Sequence, residues 1–173
     1  MSERTRVTDV IRTDHAWFRA QFDAVRKARD DRDELTRIWA ELAARLEVHA
    51  AAEETLFYPR LLKDDRDAVD DTEDAIRDHN DIRDGIRDAG EHPIGDDGWW
   101  KGVKDTDKAN TEHMEEEEAG PLQEFDSVAS AREQAELAAS FAAFEQEHAG
   151  ARGISVADKD PERYIEEHLP EPS

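Results

Sequence analysis

Apolar residues recur every three or four positions through most of this chain, a spacing that places them on one face of an α-helix. In the first such stretch the apolar face consists of Val7, Ile11, Phe18, Phe22 and Val25. No stretch shows the sustained apolar–polar alternation, rich in β-branched residues, that is typical of a strand. The pattern therefore predicts an all-α protein.

Turn-forming residues and charged runs divide the periodic stretches into separate helices. We predict four long helices, then a fifth helix and a tail that is irregular apart from one short helix. The predicted bounds are Thr8–Arg29, Glu34–Pro59, Val69–Ala89, Trp99 to Gly120 or Pro121, Ser130–His148 and Pro161–Glu167. Short connections favour antiparallel neighbours, hence an up-down-up-down four-helix bundle. We expect residues 1–125 to form this bundle, and the C-terminal helix and tail, residues 126–173, to pack on the same domain.

Two local features qualify this prediction. Pro59 is expected to kink or end the second helix, because proline removes a backbone donor and clashes with the preceding turn. The fourth helix has the weakest apolar face, on which Trp100 and Val103 are expected to point inward.

Polar residues interrupt the apolar faces of all four long helices at positions where a packed bundle would hold leucine. The interruptions form a repeat with an offset of 64 residues, pairing Asp14-His15 with Asp78-His79 and His49-x-x-x-Glu53-Glu54 with His113-x-x-x-Glu117-Glu118. Within each copy the two histidines are 34 residues apart. That separation brings them to the same depth in two antiparallel helices.

Histidine and glutamate four residues apart project from the same face of a helix. Two helical hairpins facing each other would therefore bring four imidazoles and two carboxylates together. A charged carboxylate on a buried face is costly unless it is paired or binds a metal, and imidazole suits transition metals that carboxylates can bridge. The predicted ligands of two metal ions are His15, His49, Glu53, His79, His113 and Glu117. An oxo, hydroxo or water bridge would leave each ion a position for a small ligand.

The charged neighbours of these ligands admit more than one role. Glu54 points about 100° away from the ligand before it and is expected to be structural or to support a ligand. Glu118 replaces Glu117 as the ligand if the fourth helix is locally rotated. Asp14 and Asp78 either hydrogen-bond a ligand imidazole or a neighbouring helix, or they face solvent. Surface positions are expected for His92, His148 and His168.

Composition excludes several classes of function. The formal net charge of −22, from 45 acidic and 23 basic residues, would repel a phosphate backbone and argues against nucleic acid as a partner. The absence of cysteine excludes disulfides, thiolate metal sites and cysteine nucleophiles. Neither a membrane-spanning apolar run nor a signal peptide is recognisable, so a cytoplasmic protein without a membrane partner is expected.

At these residues the sequence resembles the hemerythrin-like (HHE cation-binding) domain, over about residues 7–125. The resemblance lies in the histidines of helices one and three and the His-x-x-x-Glu motifs of helices two and four. The end of the second helix, Glu53-Glu54-x-x-Phe57-Tyr58-Pro59, is also similar. The resemblance implies a four-helix bundle around a non-heme di-iron centre, with the six residues above as ligands, that handles O2 or related small molecules.

The chain departs from oxygen-carrying hemerythrins in two ways. Those proteins have a further histidine four residues after the one in helix three, where this chain has Arg83. They also place the last carboxylate five residues after its histidine, whereas Glu117 and Glu118 here occupy both spacings. A smaller ligand set at one iron favours redox chemistry with peroxide or nitric oxide over simple O2 carriage. We expect Arg83 to gate the pocket or to neutralise a nearby carboxylate.

Three functions follow from these observations. The favoured one is a di-iron protein that binds, senses or transfers O2, NO or peroxide. The second is a di-iron enzyme with catalase-like, peroxidase-like or NO-reducing activity. The third is an iron storage or sensing module, or a regulatory protein whose C-terminal helix and tail contact a partner or a second copy of the chain.

Overall fold

The computed structural model describes residues 5–172, and within that range the regular structure is entirely helical. The α-helices are α1 Val7–Lys27, α2 Arg32–Ala52, α3 Tyr58–Asp64, α4 Val69–Gly90, α5 Asp97–Ala119, α6 Pro121–Val128, α7 Ala131–Glu147 and α8 Pro161–His168. Short 3-10 turns, Arg66–Ala68 and Ala149–Ala151, connect α3 to α4 and follow α7. The prediction of an all-α protein is confirmed.

The second predicted helix departs from its expected end. A five-residue π-helical segment, Glu53–Phe57, joins α2 to α3 without a break, and helix continues past Pro59 to Asp64. Pro59 lacks the N–H that would bond back to the preceding turn, and the π segment with its altered hydrogen bonds lies directly before it. The proline therefore does not end the helix, and the irregularity begins at Glu53. Segments of π-helix often occur at functional positions.

Four helices surround the centre of the molecule: α1 packs against α2 and α5, and α4 packs against α2 and α5. The approach of α4 to α5 is especially close. A Cβ atom added at Gly102 would lie 2.5 Å from the backbone nitrogen of Ala89, and one at Gly85 would lie 2.4 Å from the hydroxyl of Thr106. Glycine at these two positions is therefore what allows the two backbones to meet.

The buried apolar side chains form two clusters. The first cluster includes Ile11, Phe57, Ile76, Leu122 and Phe125, and the second includes Phe18, Phe22, Leu42, Ile82 and Trp99. On α1, His15 lies between Ile11 and Phe18, and on α4, His79 lies between Ile76 and Ile82. The polar interruptions thus form a layer between two apolar volumes.

One inward-facing residue of α5 was assigned wrongly. Trp99 is fully buried, whereas Trp100 is only partly buried and lies against the guanidinium of Arg29. Trp99 stacks edge-on against Trp39 of α2, and Val103 is buried as expected. The two adjacent indoles were equivalent by hydropathy, and the rotation of α5 decides between them.

In the C-terminal segment, α7 packs against α1 and α2, and α8 packs against α4. Phe141 of α7 and Tyr164 and Ile165 of α8 are buried members of the first cluster. Ahead of α8, the amide of Asn80 on α4 exchanges two hydrogen bonds with the backbone of Lys159, of 2.7 and 2.8 Å. Within the described residues, none of the helices combines the length and apolar character needed to cross a bilayer.

Candidate metal centre

The structure brings all six predicted ligands into the polar layer, where each residue is at most 4% exposed. Their donor atoms fall into two overlapping groups, each within 4.8 Å: His15, His49, Glu53 and Glu117 in one, and Glu53, His79 and His113 in the other. Glu53 belongs to both groups. The arrangement suits two cations that share a carboxylate.

Glu117 also reaches towards both groups. Its Oε1 lies 3.3 Å from Nε2 of His15, and its Oε2 lies 3.4 Å from Nε2 of His113. The other carboxylate is placed similarly, because Glu53 Oε1 contacts Nε2 of His49 and Oε2 lies 3.7 Å from Nε2 of His113. Each glutamate therefore spans the gap between two imidazoles on different helices.

Several inward-facing atoms lack a hydrogen-bond partner among residues 5–172. They are Nε2 of His15, Nε2 of His49, both carboxylate oxygens of Glu53 and Oε1 of Glu117. Leaving buried polar atoms unpaired costs about 1–3 kcal/mol each, and more for a charged group. Five such atoms at one point are therefore what a site completed by a bound metal should show, and this donor set of imidazole and carboxylate fits transition-metal cations.

Every one of the four imidazoles has a carboxylate at its outer nitrogen, Nδ1. We call these the outer carboxylates: Glu118 on His15 at 2.9 Å, Asp14 on His49 at 2.9 Å, Glu54 on His79 at 2.8 Å and Asp78 on His113 at 3.4 Å. An ionised carboxylate only accepts hydrogen bonds, so Nδ1 carries the proton in the first three pairs. Nε2 is then left as an inward-facing donor for a metal.

The structure gives the positions of the charged neighbours whose roles the sequence left open. Glu118 lies outside the layer, beside Nδ1 of His15, while Glu117 lies inside it. Asp14 contacts an imidazole on the neighbouring helix, as does Glu54. All these contacts join one helix to another, and they follow the 64-residue repeat.

The repeat extends to two arginines. Arg19, four residues after His15, makes two hydrogen bonds of 2.9 and 3.0 Å to Glu118. Its repeat equivalent, Arg83, four residues after His79, donates to Glu54 at 2.7 Å. Arg83 thus neutralises a carboxylate, one of the two roles expected for it.

His79 and His113 face each other, with their Nε2 atoms 3.2 Å apart. The outer contact of His79 to Glu54 places its proton on Nδ1, so its Nε2 presents a lone pair. Two lone pairs would repel each other at this distance, so Nε2 of His113 carries the hydrogen and donates it to His79 in the metal-free protein. A metal ion bound between the two rings would take the place of that proton.

Electrostatics in the layer follow from burial and close charges. Burial lowers the pKa of His49, but the charges of Glu53 and Asp14 and the hydrogen bond that the imidazole donates to Asp14 more than offset this and raise it well above its usual value. The pKa values of His15 and His113 are raised by the same balance, with Glu117 as the main partner. Burial raises the pKa of Glu117, and the charge of His113 with several hydrogen bonds brings it well below the usual value.

Two of the outer carboxylates, Glu118 and Glu54, are held ionised. Hydrogen bonds from His15 and Arg19 lower the pKa of Glu118 to about 2 despite partial burial. Burial raises the pKa of Glu54, but contacts with His79 and the charges of Arg83 and Lys159 outweigh it, so the net shift is downward. Both groups remain acceptors for imidazole N–H throughout the neutral range.

Three residues at the site were not anticipated. Tyr58, fully buried, donates its hydroxyl proton to Oε2 of Glu117. Lys159, ahead of α8, contacts Oε2 of Glu54. Glu145 of α7 lies beside Asp14 and His49, and burial with the charge of Asp14 raises its pKa to about 8.

Sequence signals for these three residues were weak. Tyr58 lies in the segment that resembles the end of the family's second helix, but its contact with Glu117 on α5 could not be predicted from that segment alone. The other two come from the C-terminal part of the chain. The remaining histidines lie away from the six ligands: His92 is exposed, and His148 and His168 are partly buried beside backbone carbonyls of their own segments.

Comparison with known proteins gives one match. The model of the family described as hemerythrin HHE cation binding domain matches residues 6–124. The search of curated proteins found no match, and the search of solved structures found none either. The matched range contains all six inward-facing residues and ends before α7. By this match, which covers more than half of the chain, the protein belongs to the hemerythrin HHE cation-binding domain family.

Proposed function

We propose that this protein binds two non-heme iron ions and uses them to bind or sense O2 or a related small molecule, NO or peroxide. One ion is assigned to His15, His49, Glu53 and Glu117. The other is assigned to His79 and His113, with Glu53 and Glu117 shared between the two. The ligand set is thus the one predicted from the sequence.

The observation that carries the proposal is the group of buried, unpartnered donor atoms on His15, His49, Glu53 and Glu117. A structural cluster would satisfy such atoms with hydrogen bonds from neighbouring groups. Here the groups around the layer instead bind the outer nitrogens of the imidazoles, and the inner atoms are left facing one another within 4.8 Å. Second-sphere contacts of this kind orient metal ligands and raise their basicity.

The bound irons would supply a redox couple and open positions for a small ligand. The chain supplies the surroundings. The two apolar clusters exclude bulk water from both ends of the layer, which strengthens electrostatic interactions inside it. The hydroxyl of Tyr58 donates a hydrogen bond to Oε2 of Glu117, beside the layer. Burial and the charge of Glu117 raise the pKa of Tyr58 well above its usual value. The phenol therefore acts as a hydrogen-bond donor at neutral pH.

The same proposal includes the topology. On α1 and α4 the chain passes from the first cluster to the second, and on α2 and α5 it passes from the second towards the first. This order supports an up-down-up-down bundle formed by residues 1–125. The burial of Phe141 and Tyr164 in the first cluster supports the packing of residues 126–173 on the same domain.

Metal analysis and absorption spectroscopy test the proposal together. After anaerobic reconstitution with ferrous iron, the protein should retain about two irons per chain. On oxidation it should show a ferric absorption band that changes with reduction and with azide. A variant with His49→Ala and His113→Ala removes one ligand from each assigned group and should lose both irons. Retention of less than one iron by the wild-type protein contradicts the proposal.

The second candidate, an enzyme that consumes peroxide or reduces NO, is favoured by one specific contact. Tyr58 places a proton donor on a proposed iron ligand, and proton delivery is what reductive chemistry at such a site requires. Steady-state consumption of peroxide and of NO by the iron-loaded protein tests it, with Tyr58→Phe as the paired variant. Turnover of both substrates no faster than that of free iron excludes this enzymatic function.

We also propose that the C-terminal helix α7 offers a surface for self-association. Its buried side chains face the first cluster, while Val128, ahead of it, is among the exposed large apolar residues. Light scattering over a concentration series tests this, with Val128→Ser as the variant. A monomer at every concentration contradicts it and leaves the metal proposal unaffected.

A further inference from the structure

A cavity of about 360 Å³ opens on the surface beside the metal centre, between α4 and the C-terminal end of α5. His113 and Glu117, two of the proposed ligands, form part of its wall, together with Tyr58. The cavity therefore leads from solvent to the polar layer. Glu117 is only 1% exposed, and its Oε1 has no hydrogen-bond partner in the described chain.

The rest of the wall is strongly acidic. It contains the carboxylates Asp71, Asp74, Asp78 and Glu116, and no lysine or arginine of the described residues lines it. Of these four, within the described residues, only Asp74 pairs with a lysine or arginine, the exposed Arg77, 2.8 Å from its Oδ1. The other three carboxylates therefore create a common negative potential beside the metal centre.

Asp78 differs from the other three outer carboxylates. Cations hold those three: Arg19 pairs with Glu118, Arg83 and Lys159 pair with Glu54, and Arg45 lies 3.7 Å from Asp14. Within residues 5–172, Asp78 pairs with no lysine or arginine, and its Oδ2 accepts no hydrogen bond. The one uncompensated outer carboxylate is thus the one that lines the cavity.

We propose that this cavity is the route by which divalent metal cations reach the centre, with the acidic wall as a transient cation-binding site. The inference rests on the proposed function, since it assumes that the centre takes up metal. A cleft lined by one sign of charge focuses the field and raises the local concentration of the opposite ion. A neutral molecule such as O2 gains nothing from that field, so the charge pattern selects a cation.

The rate of metal uptake tests the inference. Metal-free full-length protein is mixed with cobalt(II), and the visible absorption of the bound ion is followed over time at several salt concentrations. The test variant is Asp71→Asn with Glu116→Gln, two wall residues that are not proposed ligands and that pair with no lysine or arginine in the described part of the chain. The matched control is Asp33→Asn with Glu41→Gln, which removes the same charges from exposed positions on α2 outside the cavity.

We expect the test variant to take up cobalt about tenfold more slowly at low salt, because charge focusing in clefts changes association rates by about 10 to 1,000-fold. The final stoichiometry should not change, and the difference should shrink as salt screens the field. Equal rates for the test variant, the control and the wild type overturn the inference, as does equal slowing by both variants. In either case cobalt still binds and the proposed function stands, whereas a wild-type protein that binds no metal contradicts the proposed function itself.

Discussion

Oε1 of Glu118 lies 2.9 Å from Nδ1 of His15, on the side of the imidazole away from the polar layer. The same oxygen accepts a hydrogen bond from Arg19, so the carboxylate is fixed from two directions. It fixes in turn the ring orientation and the tautomer of His15. Removing it leaves the ligand in place but free to rotate and to change tautomer.

Glu118→Ala should therefore weaken metal binding about 10 to 100-fold without changing the number of ions bound, which is the usual effect of losing such an outer contact. Competition with a chelator measures the affinity. Glu112→Ala, an exposed glutamate on the same helix, is the control and should bind as the wild type does. If the two variants bind metal equally tightly, the outer carboxylate does not act on His15.

Glu54 supports a second prediction, because its two cationic partners differ in burial. The side chain of Arg83 is 2% exposed, whereas that of Lys159 is 36% exposed. Loss of one partner from a buried ion pair costs about 3–5 kcal/mol, while a solvent-screened pair contributes about 1 kcal/mol or less. Arg83→Met should thus destabilise the metal-free protein far more than Lys159→Met.

Urea unfolding of the metal-free protein measures both changes, and circular dichroism confirms that each variant is folded at the start. The prediction concerns the order of the two effects and does not depend on any bound metal. A larger loss of stability from Lys159→Met would mean that the C-terminal segment, and not α4, holds Glu54 in place.

The positions of the six inward-facing residues were predictable because helical periodicity is regular. A polar residue on an apolar face is visible in the sequence, and a rotation of about 100° per residue separates Glu117 from Glu118. The recurrence of Arg19 as Arg83 was also present in the sequence. It indicates no metal ligand, because arginine does not bind cations, and its connection to the histidines runs through Glu118 and Glu54.

Other features depend on tertiary packing and leave no periodic trace. Lys159 meets Glu54 across 105 residues, and nothing in local spacing specifies that contact. In the π segment that begins at Glu53, each backbone hydrogen bond reaches one residue further along the chain than in an α-helix. Hydropathy does not reveal this change. The prediction that Trp100 faces inward is wrong for a related reason. The rotation of α5 about its axis depends on its close approach to α4, and this rotation buries Trp99 instead.

That close approach leads to a third prediction, at Gly102. A Cβ atom there would lie 2.5 Å from the backbone nitrogen and 2.6 Å from the Cα of Ala89, so one of the two helices must shift. Overpacking of this kind costs about 1–3 kcal/mol, which exceeds or cancels the gain of about 1 kcal/mol in helix propensity from glycine to alanine. Gly102→Ala should therefore be destabilising overall.

The control is Gly90→Ala at the end of α4, where an added Cβ would meet nothing within 4 Å. It should leave the thermal unfolding midpoint unchanged or raise it slightly, whereas Gly102→Ala should lower it. Because both substitutions are the same, the difference between them isolates the helix–helix contact. Equal midpoints would show that α4 and α5 separate without cost.

The final prediction concerns pH. A metal binds neutral imidazole, so protons compete with it for His15, His49 and His113, and the pKa values of all three are raised in the metal-free protein. Metal affinity should therefore keep rising with pH above 6.5, the usual histidine pKa, by about tenfold per unit for each proton displaced.

Stability of the metal-free protein should change in the opposite direction over the same window. A histidine whose folded pKa is raised contributes stability that is fully present below its unfolded pKa and is lost as pH rises through the folded value. Metal titrations and urea unfolding of metal-free protein, each from about pH 6 to about pH 8, should thus give slopes of opposite sign. A metal affinity that is constant above 6.5 would falsify the assignment of these histidines as ligands that must lose a proton to bind.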